Sequence, residues 1–125
     1  MPVAESRAVL GSGKLLGVST HNLEQFRSAA ATDADYIALG PVFATDAKAN
    51  PDPVVGPAMI REARKLTQKP IVAIGGITLE RAREVIEAGA DSVAVISDIL
   101  RAPNPGKRAR QFLDLVQPLI RSAEN

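Results

Sequence analysis

Cysteine and tryptophan are absent from this 125-residue chain, and it has only one tyrosine, three phenylalanines and one histidine. Without cysteine there is no disulfide scaffold, no thiolate nucleophile and no Cys-ligated zinc, and a lone His21 excludes a multi-histidine metal cage. Aromatic residues make up 3% of the chain, which leaves few platforms on which bases could stack. Charge of one sign is also lacking. Fifteen basic residues face fourteen acidic ones for a net charge of +1, so bulk electrostatics support neither a nucleic-acid nor an acidic partner. No stretch approaches the roughly 18 apolar residues that span a bilayer, and Met1 to Arg7 lacks an apolar signal segment. The expectation is a cytoplasmic protein without a membrane partner.

What is present, 46% hydrophobic and 23% charged residues, suits one globular domain over residues 1–125 with a core of Ala, Val, Ile and Leu. Four short aliphatic runs, Leu15–Ser19, Tyr36–Val42, Pro70–Ile74 and Ser92–Ile96, are too uniformly apolar for surface strands and predict buried parallel ones. Helical periodicity fills the intervals. Asn22 caps a stripe of Leu23, Phe26, Ala30 and Ala31; Pro57 opens one of Met59, Ile60, Ala63 and Leu66; Thr78 caps Leu79, Ala82, Val85 and Ile86, closed by Gly89. Residues 2–10 form a further candidate helix. A loop from Ala102 to Gly106 precedes an amphipathic segment through Phe112, Leu115, Val116 and Leu119 that Pro118 is expected to kink or end. The grammar is α/β, a (βα)-repeat parallel sheet with right-handed crossovers. A faint internal echo accompanies it, since Ala34-Asp35 and Ala90-Asp91 both lead into a strand.

The chemistry sits where strands end. Ile74-Gly75-Gly76-Ile77-Thr78 runs from a buried strand into a helix start, where glycines let amides approach an anion that the helix dipole favours. Ile96-Ser97-Asp98 brings a hydroxyl and amides to a second helix start, and two such loops after successive strands match the phosphate site of (β/α) barrels. Simple packing turns are an equal reading of both. Thr45 and Lys48 open a long loop, Ala44 to Gly56, and Lys48 is suited to neutralise a phosphate, although a solvated loop lysine is the commoner case. The first strand delivers Ser19 and His21; the imidazole suits proton transfer as well as a structural hydrogen bond. Asp35 and Asp91 precede their strands and so belong to the opposite end, with structural roles.

Four blocks, Gly17-Val18-Ser19-Thr20-His21-Asn22, Asp35 through Thr45, Ala73 through Thr78 and Ala88 through Ser97, resemble in order and spacing the thiamine phosphate synthase family. The same superfamily holds the TenI-type thiazole tautomerases, and the motifs do not separate the two. The resemblance implies a TIM (β/α)8 barrel, of which the blocks correspond to the C-terminal half, strands five to eight. It implies condensation of hydroxymethylpyrimidine diphosphate with thiazole phosphate to thiamine phosphate and pyrophosphate. It also implies, position by position, that Ser19 contacts the pyrimidine diphosphate and Thr45 the thiazole phosphate. Lys48 would bind diphosphate and take part in catalysis. Gly75, Gly76, Ile96 and Ser97 would hold the thiazole phosphate, and His21 would stand where a tautomerase moves a proton. Ala47 replaces the second hydroxyl of the family's loop, which weakens the contact expected there.

The half with no counterpart here carries the family's Gln-x-Arg-x-Lys clamp and its two magnesium-binding aspartates. Magnesium is thus a cofactor of the family's whole barrel with no ligands among these 125 residues. Met1-Pro2 ahead of a mid-family helix suggests truncation or engineering. Three readings stay open: a synthase half, inactive or incomplete alone; a tautomerase; and a non-catalytic half-barrel that self-associates. Phosphorylated pyrimidine and thiazole are the implied small-molecule partners, with a second copy or an N-terminal half as the protein partner.

Overall fold

A computed structural model describes residues 2–44 and 54–124. In chain order the elements are α1 (Val3–Leu10), β1 (Gly17–Thr20), α2 (Leu23–Ala30), β2 (Tyr36–Leu39), α3 (Gly56–Arg64), β3 (Ile71–Ile74), α4 (Leu79–Ala88), β4 (Ser92–Ala94), α5 (Ser97–Leu100) and α6 (Pro105–Glu124). The strands form one all-parallel sheet in the order β1-β2-β3-β4, so each pairs with its sequence neighbour.

Alternation along the strands divides the sheet into two unlike faces. Thr20, Ile37, Leu39, Ile71 and Ala73 are buried, and all but Thr20 join a cluster with Phe26, Ile60, Val85 and Phe112 of the helices. Each fully buried large side chain there contributes about 1.5–3 kcal/mol relative to exposure. Thr20 is tolerated in the interior because its hydroxyl donates to the Ala38 carbonyl at 2.8 Å. The intervening residues meet no such layer. Ser19, Tyr36 and Ile74 are exposed, and Gly17, Ala38 and Val72 only half-buried. Tyr36 lies across Gly17 on this bare face, its ring 2.1 Å from where a Gly17 Cβ would stand, so only glycine leaves the ring that position.

Several boundaries depart from expectation for local reasons. The first strand begins at Gly17 rather than Leu15, which is 80% exposed. The second formally ends at Leu39, ahead of Gly40-Pro41, yet the Val42 and Phe43 amides still donate to the Ile74 and Gly75 carbonyls. The fourth stops at Ala94, because Ile96 already turns the chain into α5. Ala29, not Ala31, faces the core from α2; Ala31 lies beyond the helix. Leu66, too, lies beyond α3 and is exposed. Pro105 opens α6 within the expected loop, and the helix continues past Pro118 to Glu124. Asn22 caps α2 as expected, its side chain accepting from the Gln25 amide at 2.8 Å.

Where the strands begin, two similar clasps hold the sheet. Asp35 accepts the Leu16 amide at 2.7 Å and Arg7 Nη2 at 2.8 Å; Asp91 accepts the Ile71 amide at 2.8 Å and Arg64 Nη1 at 2.7 Å. Each arginine lies on the helix before a strand, and each aspartate ties that strand's start to the next. The register repeats as well, Gly17 opposite Tyr36 and Val72 opposite Ser92. The echo of Ala34-Asp35 and Ala90-Asp91 thus reflects two α-β-α-β units built alike, and both aspartates are structural. The Arg7 hydrogen bond, followed by that from Leu16, holds the Asp35 carboxyl below its ordinary range.

Candidate functional site

At the opposite edge, where the strands finish, β3 passes into Gly75 (φ 97°) and Gly76 (φ 65°). Left-handed backbone is one reason for glycine, and close packing is another. A Cβ on Gly75 would stand 2.6 Å from the Pro41 Cα, and one on Gly76 would stand 2.7 Å from the Phe43 and Ala44 carbonyl oxygens. The turn therefore abuts the segment leaving β2. The packing role of these glycines is observed, and any approach of their amides to a ligand is additional to it.

Arg81, one turn into α4, ties this junction together. Its Nη1 donates to the Gly76 carbonyl at 3.0 Å while its guanidinium carbon lies 4.8 Å from the centroid of the Phe43 ring. The sequence reading passed over it. A cation five residues beyond Gly76 on a short helical path was the available signal.

The start of α4 is also capped differently from expectation. The Thr78 hydroxyl makes no capping bond; instead the Leu79 amide donates to Asp98 Oδ2 of α5 at 2.9 Å. Arg108 of α6 holds the other oxygen of Asp98 at 2.9 Å and reaches its main-chain carbonyl at 3.3 Å. A cleft of about 280 Å³ opens here, lined by Thr78, Leu79, Glu80, Arg81, Asp98 and Arg108. Two arginines and two carboxylates balance its formal charge.

The remaining candidates are distributed along the same edge. Ser19 is the penultimate residue of β1, on the bare face. His21 follows that strand, its Nδ1 2.9 Å from the Gly40 carbonyl. A carbonyl only accepts, so Nδ1 carries a hydrogen in this contact. Ile96 is 60% exposed, and Ser97, half-buried, opens α5. Thr45 and Lys48 lie outside the described residues, as do Asp46 and Ala47. The structure brings the Gly75-Gly76 turn against Pro41–Ala44, His21 against Gly40, and α5 against the start of α4. Among the described residues no three His, Asp or Glu side chains converge as a metal-ligand set. Nor is any described helix long and apolar enough to cross a membrane.

The family model described as thiamine monophosphate synthase matches residues 1–99, taking in all four strands and most of α5. The chain belongs to this family. A thiamine-phosphate synthase of Koribacter versatilis is 55% identical over 111 residues, 89% of this chain and 52% of the relative. One from Methanosarcina mazei is 39% identical over 119 residues, 95% of this chain and 50% of the relative. Among solved structures, thiamine phosphate pyrophosphorylase from Pyrococcus furiosus superposes with a TM-score of 0.85 at 32% identity, covering 96% of this chain and 56% of that one. This member of the thiamine monophosphate synthase family therefore spans about half the length of the relatives it matches.

Proposed function

We propose that this chain is the C-terminal half of a (β/α)8 barrel, strands five to eight, and supplies the phosphate-binding part of a thiamine phosphate synthase. In that reaction the pyrimidine diphosphate loses pyrophosphate as its C–O bond breaks, and the thiazole nitrogen captures the resulting cation, forming a C–N bond and thiamine phosphate. The groups assigned to the thiazole phosphate are the Gly75 and Gly76 amides, Ile96, Ser97 and Thr45, while Lys48 is assigned to the diphosphate and Ser19 to the pyrimidine diphosphate; Thr45 and Lys48 fall between β2 and α3 in the sequence. The observation that carries this reading is the Gly75-Gly76 turn at the finishing end of β3, beside the segment that leads to Thr45, in a chain whose family is thiamine monophosphate synthase. Parallel α/β sheets bind ligands at this edge.

Cation formation needs charge stabilisation of the departing pyrophosphate. The family's Gln-x-Arg-x-Lys clamp and magnesium-binding aspartates have no counterpart in this sequence, so the isolated chain is expected to make little thiamine phosphate. The test is pyrophosphate release with magnesium, with and without a family N-terminal half added in trans. Turnover only with the added half supports the reading, and robust turnover by the chain alone refutes it. The tautomerase alternative, with His21 moving the proton, requires thiazole isomerisation without pyrophosphate release.

The bare sheet face favours a second reading, a half-barrel that self-associates. Tyr36, Val72 and Ile74 face no helix layer, and β1 and β4 each have one strand neighbour among the described residues. Sedimentation equilibrium decides it: a dimer supports the module, and a monomer that associates only with an N-terminal half supports the split enzyme.

A further inference from the structure

We propose that Asp98 is a positioning residue for the anion site: its carboxylate fixes α5, and with it Ser97, against the start of α4, and its charge limits how tightly that site holds an anion. The proposal rests on the phosphate reading above. A helix start has amides with no intrahelical partner, and at α4 the adjacent Thr78 hydroxyl makes no capping bond. Asp98 takes the Leu79 amide from nineteen residues away, and its side chain is only 19% exposed. Helix α5 is a single turn with no fully buried residue, and Ile99 is its partly buried contact with the core. To that packing the three-way contact of Leu79, Asp98 and Arg108 adds a polar tie that joins α4, α5 and α6.

Ser97 is the neighbour of Asp98 and Gly76 lies two residues before the cap of α4, so this contact sets the spacing between the two parts of the proposed cradle. The carboxylate acts in two opposed ways. It holds the geometry an anion needs, and it places a negative charge at the helix start that an anion would otherwise have to itself. Replacing Asp98 by asparagine removes the charge and keeps one oxygen for the Leu79 amide; the bond from Arg108 to the second oxygen is lost, but the Arg108 bond to the main-chain carbonyl of residue 98 is kept.

The experiment follows backbone amide shifts of the 125-residue chain during titration with inorganic phosphate, together with hydrogen exchange at Leu79, in the parent and in D98N, D98A and R108M. Asp98→Asn should keep Leu79 protected and bind phosphate about two- to fivefold more tightly. Asp98→Ala should speed Leu79 exchange about tenfold, the loss of one hydrogen bond, and bind phosphate more weakly than D98N. If D98A does not fold, R108M takes its place and should also speed exchange at Leu79. The proposal is overturned if D98N binds no more tightly than the parent, or if folded D98A, or R108M in its stead, leaves Leu79 exchange unchanged. A parent that binds no phosphate would overturn the phosphate reading and the charge effect with it, while exchange at Leu79 would still decide whether Asp98 positions α5.

Discussion

The two ends of the sheet are built on different terms. Where strands begin, Asp35 and Asp91 each receive a strand amide and an arginine, and Arg64 donates in addition to the Gly89, Thr67 and Lys69 carbonyls. Where strands finish, positive-φ glycines pack against a neighbouring loop, and a helix start is capped by a carboxylate from another helix. The first arrangement is redundant, with several bonds per side chain. At the second the ties run between different elements: Leu79, Asp98 and Arg108 join α4, α5 and α6, and Arg81 joins Gly76 to Phe43. The first end ties one strand start to the next, whereas loss of Asp98 at the second releases Leu79 of one helix and Arg108 of another.

The largest effect expected from this contrast is at Gly76. Valine there must hold a positive φ and displace the Phe43 and Ala44 carbonyls, so urea unfolding should show a loss of about 2–4 kcal/mol, with exchange rising first along Val42–Ala44. Such a variant tests packing and not ligand approach. Equal stability to the parent would mean the turn is looser than described. Next comes Arg64→Met, which keeps the stem over Gly89 but removes four bonds; a loss of about 1–3 kcal/mol with unchanged phosphate affinity would mark this end as structural. Altered affinity would break the separation of roles.

The third effect is one of pH. The folded chain holds Asp35 below its ordinary value of 3.8, so folding favours the ionised carboxylate. That stabilisation is complete above the unfolded value and is lost as pH falls from there through the folded value. The melting temperature of the parent should therefore fall more steeply below about pH 4 than that of Asp35→Asn, the two converging in acid. A constant gap between them would assign the stabilisation to something other than ionisation. The smallest effect is expected at Ser97, where alanine should weaken phosphate binding about two- to fivefold and shift stability by no more than about 0.5 kcal/mol. An unchanged affinity would remove Ser97 from the cradle.

What could be read from the sequence was what neighbouring residues decide. Aliphatic runs marked all four strands, and Asn22 marked the start of α2, because pattern and cap lie within a few positions of the element they define. Strand ends were less legible: β4 stops early because the turn into α5 claims Val95 and Ile96. The clasps show the boundary well. The positions of Asp35 and Asp91 before their strands revealed which end they occupy, but Arg7 and Arg64 lie 28 and 27 residues away and gave no local sign. The capping role of Asp98 was equally illegible, since nothing near it indicates a helix start nineteen residues upstream. Arg81 was missed because its role comes from Phe43, which the fold and not the chain places beside it.

The position of Tyr36 has a spectroscopic consequence. It is the sole tyrosine of a chain without tryptophan, and its ring rests on the uncovered face of the sheet. Every photon of tyrosine emission from this protein therefore originates at that face, with no tryptophan to take up the excitation. A second copy or an N-terminal half seated there should shield the phenol from acrylamide, so quenching would report the covering of this face without any label or substitution.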